Sequence, residues 1–236
     1  MKHPAPFPPK ILAVLRTATA ELPDDAAIFD PFCGAGGIAE IRPGKLRCYG
    51  MEIEDEWAAV ACARGVYCIT GDIGSKAIQF TNYDAVVTSP CYGNRMADNY
   101  APAPDPKHRM RRTYRLALGH ELTKNNAGGM QWGAEYRNLH GFAWLKATDA
   151  LRPGGLFVLN CKNHMRGGVE QLVTEWHMAH LMVSCGLAFV SATPVPLTGD
   201  QNTASMRRRG VRVVDHEWVI VLRKPVDATH ERTEGK

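Results

Sequence analysis

A chain of 236 residues, 45% hydrophobic and 22% charged, is long enough to bury one complete core without disulfide or metal staples. Its formal charge of +4 permits a polyanionic partner without demanding one, and no run approaches the roughly 18 apolar residues of a membrane span. Seven scattered cysteines, odd in number and without a Cys-x-x-Cys pair, fit free thiols in a reducing cytoplasm rather than a disulfide framework or a zinc site. Met1-Lys2-His3-Pro4 carries no apolar stretch of the signal-peptide kind, so a soluble, cytoplasmic protein is expected.

In chain order, a proline-rich lead-in is followed by a helix over 11–20 and a strand over 27–29. The turn Asp30-Pro31-Phe32-Cys33-Gly34-Ala35-Gly36-Gly37 comes next, then strands over 46–51 and 66–70 with a helix over 55–64 between them. A strand over 83–88 precedes residues 93–133, which are rich in Pro, Asn, Gly and Arg and lack apolar periodicity. That stretch reads as an insertion with a functional purpose. A helix over 134–151, a strand over 156–160 and a helix over 169–185 follow, the last with Val169, Leu172, Val173, Trp176, Ala179, His180 and Val183 at helical spacing. Strands over 187–193 and 217–223 flank a polar loop over 198–210, and 226–236 reads as a flexible tail. Short apolar runs alternating with helices predict an α/β fold, a Rossmann-like, seven-stranded, mostly parallel sheet covered by helices on both faces.

Three carboxylates fall where the first three strands should end: Asp30, Glu52 and Asp72. In an open α/β sheet that edge is where a nucleotide-like ligand binds. Glycine in the turn lets backbone approach a ligand closely, and an acid about 20 residues further on suits bidentate contact with ribose hydroxyls. The Gly-x-Gly-x-x-Gly spacing of dinucleotide sites is absent from 30–37.

These residues resemble motifs I to III of the class I S-adenosylmethionine-dependent methyltransferases, and the resemblance runs from about His3 to Pro225, including Leu151-Arg152-Pro153-Gly154-Gly155. It implies a single methyltransferase domain over 1–225, with S-adenosylmethionine as cofactor. Asp30, Phe32, Cys33, Gly34 and Gly36 would hold its methionine end, Glu52 and Ile53 the ribose, Asp72 and Ile73 the adenine. His3 to Pro8 is similar to the segment that covers the methionine end in amino-methylating DNA enzymes, which adds Phe7.

Ser89-Pro90-Cys91-Tyr92 resembles motif IV of DNA methyltransferases that act on exocyclic amines. Ser89, which also borders the cofactor, and the Pro90 carbonyl would orient the amine of a flipped base, and Tyr92 would stack on it. Serine in first place points to cytosine N4. Cys91 departs from the pattern, because a Pro-Cys pair belongs to the carbon-5 cytosine enzymes, where the thiolate attacks the ring. Those enzymes also need a glutamate after a later strand, where this chain reads Leu159-Asn160-Cys161-Lys162-Asn163. Amine transfer is the better reading and carbon-5 transfer the alternative. An adenine or RNA target, or a non-catalytic nucleic-acid-binding module, stands further off.

Arg95, Arg109, Arg111, Arg112 and Arg115, interleaved with aromatic residues, give 93–133 a positive balance suited to DNA phosphates, and Arg207 and Arg208 offer a second contact. The expected partner is therefore DNA, or RNA, with a role in host or phage genome protection in a bacterial or phage-infected cell. No metal site is expected, since the histidines lack ligand spacing.

Overall fold

The computed structural model describes residues 6–75, 81–93, 114–197 and 208–226. Pro9 opens α1 (Pro9–Ala18), its fixed φ suiting a first helical turn. Strand β1 (Ala26–Asp30) runs into the glycine turn, and β2 (Leu46–Glu52) follows. Asp55 and Glu56 begin α2 (Asp55–Ala63), where their charge meets the helix dipole. Then come β3 (Tyr67–Thr70), β4 (Tyr83–Thr88), the short α3 (Tyr114–Leu118), α4 (Ala134–Ala150) and β5 (Leu151–Cys161). A hairpin of β6 (His164–Arg166) and β7 (Val169–Gln171), α5 (Val173–Val183), β8 (Ala188–Pro196) and β9 (His216–Arg223) complete the order.

Seven strands form one sheet in the order β3-β2-β1-β4-β5-β9-β8. Pairings from β3 to β5 are parallel, whereas β9 runs antiparallel between β5 and β8. Period-two alternation sends neighbouring residues to opposite faces. Ile28, Ala85, Val87, Leu156, Val158, Val219 and Val221 pack with α1 and Ala61 of α2. Phe29, Val86, Phe157, Leu159, Ile220 and Leu222 pack with Ala143, Trp144 and Ala147 of α4 and Leu181 of α5. Each such buried aliphatic or aromatic side chain contributes roughly 1.5–3 kcal/mol. The expected seven-stranded, two-faced architecture is therefore present. Among the described residues no helix is long and apolar enough to cross a membrane, and all seven cysteines are free.

Two expectations from the sequence are corrected. Residues 169–171 are strand rather than helix, because Gly167 and Gly168, at φ of 55° and 77°, close a two-residue hairpin that registers Arg166 with Val169. The helix starts at Val173, with the Thr174 amide donating to the Asn163 side chain at 2.9 Å. Its buried positions are Val173, Thr174, His177 and Leu181, and Val183, read from the sequence as part of the apolar stripe, is 85% exposed. The second correction concerns 93–133, part of which is built structure. Tyr114 and Leu118 of α3 are buried against Trp57, and a 3-10 turn at Ala127–Gly129 leads on toward α4. The carboxylate of Glu54, buried beside α2, accepts from the Thr123 amide and hydroxyl, both at 2.9 Å, and from Asn126 Nδ2 at 2.6 Å.

Gly36 shows why the turn is glycine-dense. It has φ +78°, and a Cβ there would stand 2.9 Å from the Ala61 Cα. Gly44 has a similar φ of +71° with open space around it. Gly36→Ala is expected to cost about 2–4 kcal/mol of unfolding free energy in urea titration and Gly44→Ala only about 1; equal losses at the two sites would show that packing against α2 contributes nothing.

Candidate active site

The strand ends β1, β2 and β4 lie side by side where the sheet's connections reverse direction, the usual ligand crevice of such a sheet. A cavity of about 330 Å3 opens there. Of the residues expected at a cofactor site, Phe7, Asp30, Phe32, Cys33, Gly34, Glu52, Ile53, Asp72, Ile73 and Ser89 line it. Gly36 is outside the lining and serves instead as the contact point with α2. Phe7 covers Gly37, where a Cβ would meet its ring at 2.9 Å.

Asp30, 3% exposed, accepts on Oδ1 from the Thr88 hydroxyl at 2.6 Å and the Phe32 amide at 3.0 Å. Among the described residues nothing donates to its Oδ2. Burial lifts this carboxyl to about 7, and the two hydrogen bonds only partly oppose that. Glu52, 8% exposed, ties the turn to the second strand by accepting from the Gly34 amide at 2.8 Å and the Glu54 amide at 2.9 Å. It too is raised to about 7, chiefly by burial. Asp72 accepts from the Gly74 amide at 2.7 Å and from Asn125 Nδ2 at 3.0 Å. Two raised carboxyls, one with an open oxygen, are suited to a ligand that brings positive charge.

The other end of the cavity is lined by Ser89, Pro90, Cys91 and Tyr92 together with Tyr114, Asn160, Lys162 and Glu217. Cys91 Sγ donates to the Tyr114 hydroxyl at 3.5 Å and packs with Trp57, Tyr114 and Leu118. Burial raises its thiol to about 11, so it is protonated at neutral pH. Ser89 Oγ contacts Asn160 Oδ1 at 3.1 Å and the Tyr92 hydroxyl at 3.2 Å, and Tyr92 donates to Glu217 Oε2 at 3.3 Å. Burial, then the Glu217 charge, pushes the Tyr92 phenol well above its ordinary value. The Lys162 ammonium sits 3.5 Å from Glu217 Oε1 and 5.5 Å from the centre of the Tyr92 ring.

Beneath the site runs a chain of hydrogen bonds that reaches α5. Trp144 Nε1 donates to His177 Nδ1 at 2.8 Å, and His177 Nε2 lies 3.0 Å from the Tyr136 hydroxyl, which donates to the Cys91 carbonyl. Burial, reinforced by His140 and His180, lowers the His177 pKa well below 6.5, so the ring is neutral and carries its proton on Nε2. The chain has one polarity throughout and holds the backbone of 90–92.

Sequence reasoning did not single out Asn125, Asn126 or Glu217 as site residues, and it read Tyr114 as a stacking surface of the insertion rather than as the partner of Cys91. Glu217 read only as the start of a strand, and Asn160 and Lys162 only as echoes of a motif. Arg95, Arg109, Arg111, Arg112, Arg207 and the Arg115 side chain lie outside the described residues; Arg208 is exposed. Glu54, Glu56 and His120 place donor atoms within 4.8 Å of one another. Both Glu54 oxygens already accept from the 123–126 segment, and Glu56 bonds His120 at 2.8 Å, an arrangement that clamps this segment.

Comparison of the sequence found no matching family model and no matching curated protein. Solved structures do match. A SAM-dependent methyltransferase from Methanosarcina mazei superposes with TM-score 0.55 at 13% identity, covering 94% of this chain and 100% of that one. The 1,6-didemethyltoxoflavin-N1-methyltransferase of Burkholderia thailandensis, with 1,6-didemethyltoxoflavin and S-adenosylhomocysteine bound, gives 0.52 at 16% identity over 91% and 78%. The [4+2]-cyclase SpnF gives 0.56 at 12% over 95% and 86%. The fold is that of the class I S-adenosylmethionine-dependent methyltransferases.

The raised carboxyls set a pH dependence. A carboxyl with a folded-state pKa of about 7 holds its proton longer than in the unfolded chain, so its contribution to stability falls as pH rises from about 4 through 7. His140, lowered by burial to about 4, and His177 act in the opposite sense below about 6.5 and mask the effect in the wild type. Asp30→Asn removes one carboxyl and leaves the histidines. Relative to the wild type it is expected to gain on the order of a few kcal/mol in urea unfolding between pH 5 and pH 8; a difference independent of pH would show that Asp30 is not raised.

Proposed function

We propose that the protein transfers a methyl group from S-adenosylmethionine to the exocyclic N4 amine of a cytosine turned out of DNA. The cofactor reading is supported by the fold and by the fit of the cavity. Asp30, with its open oxygen, and Phe7 would hold the methionine end, Glu52 the ribose hydroxyls and Asp72 the adenine. Bound there, the cofactor supplies an electrophilic methyl on a positively charged sulfur. The buried acids favour that charge, since a cation beside them removes the cost of their ionisation.

The observation that carries the choice of acceptor is the difference in the partners of Ser89 and Cys91 at the same cavity end: Ser89 Oγ meets Asn160 and Tyr92, whereas the Cys91 thiol donates to Tyr114. Ser89 Oγ and the Pro90 carbonyl are acceptors for the hydrogens of an amine, whose lone pair they would aim at the methyl group. The proton released after transfer leaves to water, so no strong base is required. Cys91 is a protonated thiol bonded to Tyr114 and lacks the thiolate that carbon-5 attack needs. One observation favours that second reading: Glu217 brings to the cavity a carboxylate, the group missing from 159–163. Fold alone does not decide the reaction, as the likeness to a protein named for a cyclisation illustrates.

DNA as substrate rests on the motif IV resemblance and on the arginines of 93–133 and 207–208, and the cytoplasm remains the expected compartment. In DNA recovered from cells expressing the protein, nucleoside mass spectrometry is expected to find N4-methylcytosine. Ser89→Ala should lower kcat about 100-fold and Cys91→Ala by less than about threefold. A 5-methylcytosine product that vanishes with Cys91→Ala would reverse the choice of acceptor. Loss of cofactor binding in Asp30→Ala, read by calorimetry, tests the cofactor assignment separately.

A further inference from the structure

The hydrogen bonds around Ser89 can be assigned a direction, because several of their partners have only one role to play. Asn160, 1% exposed on β5, places Nδ2 3.2 Å from the Trp218 carbonyl and 3.3 Å from Glu217 Oε2. A carbonyl can only accept, so the amide nitrogen faces β9 and Oδ1 faces Ser89, 3.1 Å away. An amide oxygen also only accepts, and the single hydroxyl proton of Ser89 is therefore committed to it. On the other side Glu217, paired with Lys162, is an acceptor for the Tyr92 proton at 3.3 Å. Ser89 Oγ and Tyr92 Oη then face each other across 3.2 Å with no proton between them, at the wall of the cavity.

We propose that Asn160 is a positioning residue that makes Ser89 an obligate acceptor, and that Glu217 does the same for Tyr92. This end of the cavity therefore demands a group with N–H donors, such as the exocyclic amine of a nucleobase, and rejects a carbonyl in the same place. A uracil-type or thymine-type edge would bring a third oxygen against two lone pairs, whereas an amine supplies the missing hydrogens. Lys162 belongs to the same device, since its ammonium pairs with Glu217 Oε1 at 3.5 Å and leaves Oε2 to Tyr92 and Asn160. The substrate named here rests on the methyl-transfer reading above; the direction of the hydrogen bonds does not.

Two experiments test the two parts separately. In 15N-labelled protein without substrate, the side-chain amide protons of Asn160 are expected to shift with Glu217→Gln and to stay in place with Ser89→Ala. Resonances that follow Ser89→Ala instead would mean the amide is turned the other way and would overturn the assignment. In methylation of unmodified genomic DNA, Asn160→Leu and Ser89→Ala should each lower kcat about 100-fold, with KM for DNA and affinity for S-adenosylmethionine within about threefold. The double variant should be no slower than the worse single variant, because one residue acts through the other. Losses that multiply in the double variant, or a loss carried in cofactor affinity, would reduce Asn160 to a structural role. A wild-type protein that methylates no nucleic acid would end the methyl-transfer reading, and the amide comparison would still decide the polarity.

Discussion

The desolvation of two carboxylates at the carboxyl edge of a parallel sheet is the constraint around which the rest of the molecule is arranged. Asp30 and Glu52 end adjacent strands, and both are buried where the turn that follows the first of them folds back. The protein meets part of the cost with backbone amides from Phe32, Gly34 and Glu54 and with the hydroxyl of Thr88. What is left over raises both groups toward neutrality and favours a ligand that brings charge to them. The tight turn fits this arrangement: Gly36 lies close against Ala61, and the same loop brings the Gly34 amide onto Glu52.

The second support is aromatic. Phe32 stacks on His140 at 4.8 Å and meets Trp144 edge-on at 5.6 Å, and His140 stacks on Tyr136 at 3.9 Å. This layer joins the cofactor turn to α4. The chain from Trp144 through His177 and Tyr136 to the Cys91 carbonyl joins α4 and α5 to the other end of the cavity. Both ends thus rest on the same helix α4, a common support of the kind that fixes relative orientation. Cys91 sits where these supports meet. Its carbonyl is held from below by Tyr136 and its thiol from the side by Tyr114, a contact contributed by the segment that follows the arginine-rich stretch.

The scaffold was largely legible because the central strands, buried on both faces, announce themselves as apolar runs, and all seven strands were found, although β5 begins five residues earlier than expected. Errors occurred where a polar residue plays a core part or a turn interrupts a pattern. His177 is buried because Trp144 and Tyr136 satisfy both of its nitrogens, and no hydropathy pattern can foresee a partner 33 or 41 residues away. Gly167-Gly168 diverted the expected helical stripe into a hairpin. Residues 114–133 looked irregular because their order comes from Glu54 and Trp57, on other elements, rather than from a periodicity of their own.

By itself the sequence determined the sheet, its carboxyl edge and the run of acids and glycines along that edge, because these follow from local apolar runs and short turns. It also brought Ser89 to Tyr92 to the same edge, next to the fourth strand. The surroundings of Ser89 and Cys91 were decided only by the tertiary structure. Glu217 reaches the site because β9 runs antiparallel to β5, which brings the start of one strand level with the end of the other and sets Cys161 opposite Trp218. Cys91 is a half-buried, hydrogen-bonded thiol because Tyr114, 23 residues further on, packs against it. Burial and hydrogen-bond direction depend on neighbours that are distant in the chain, so the surroundings of Ser89 and Cys91 lie beyond any reading of residues 89–92 alone.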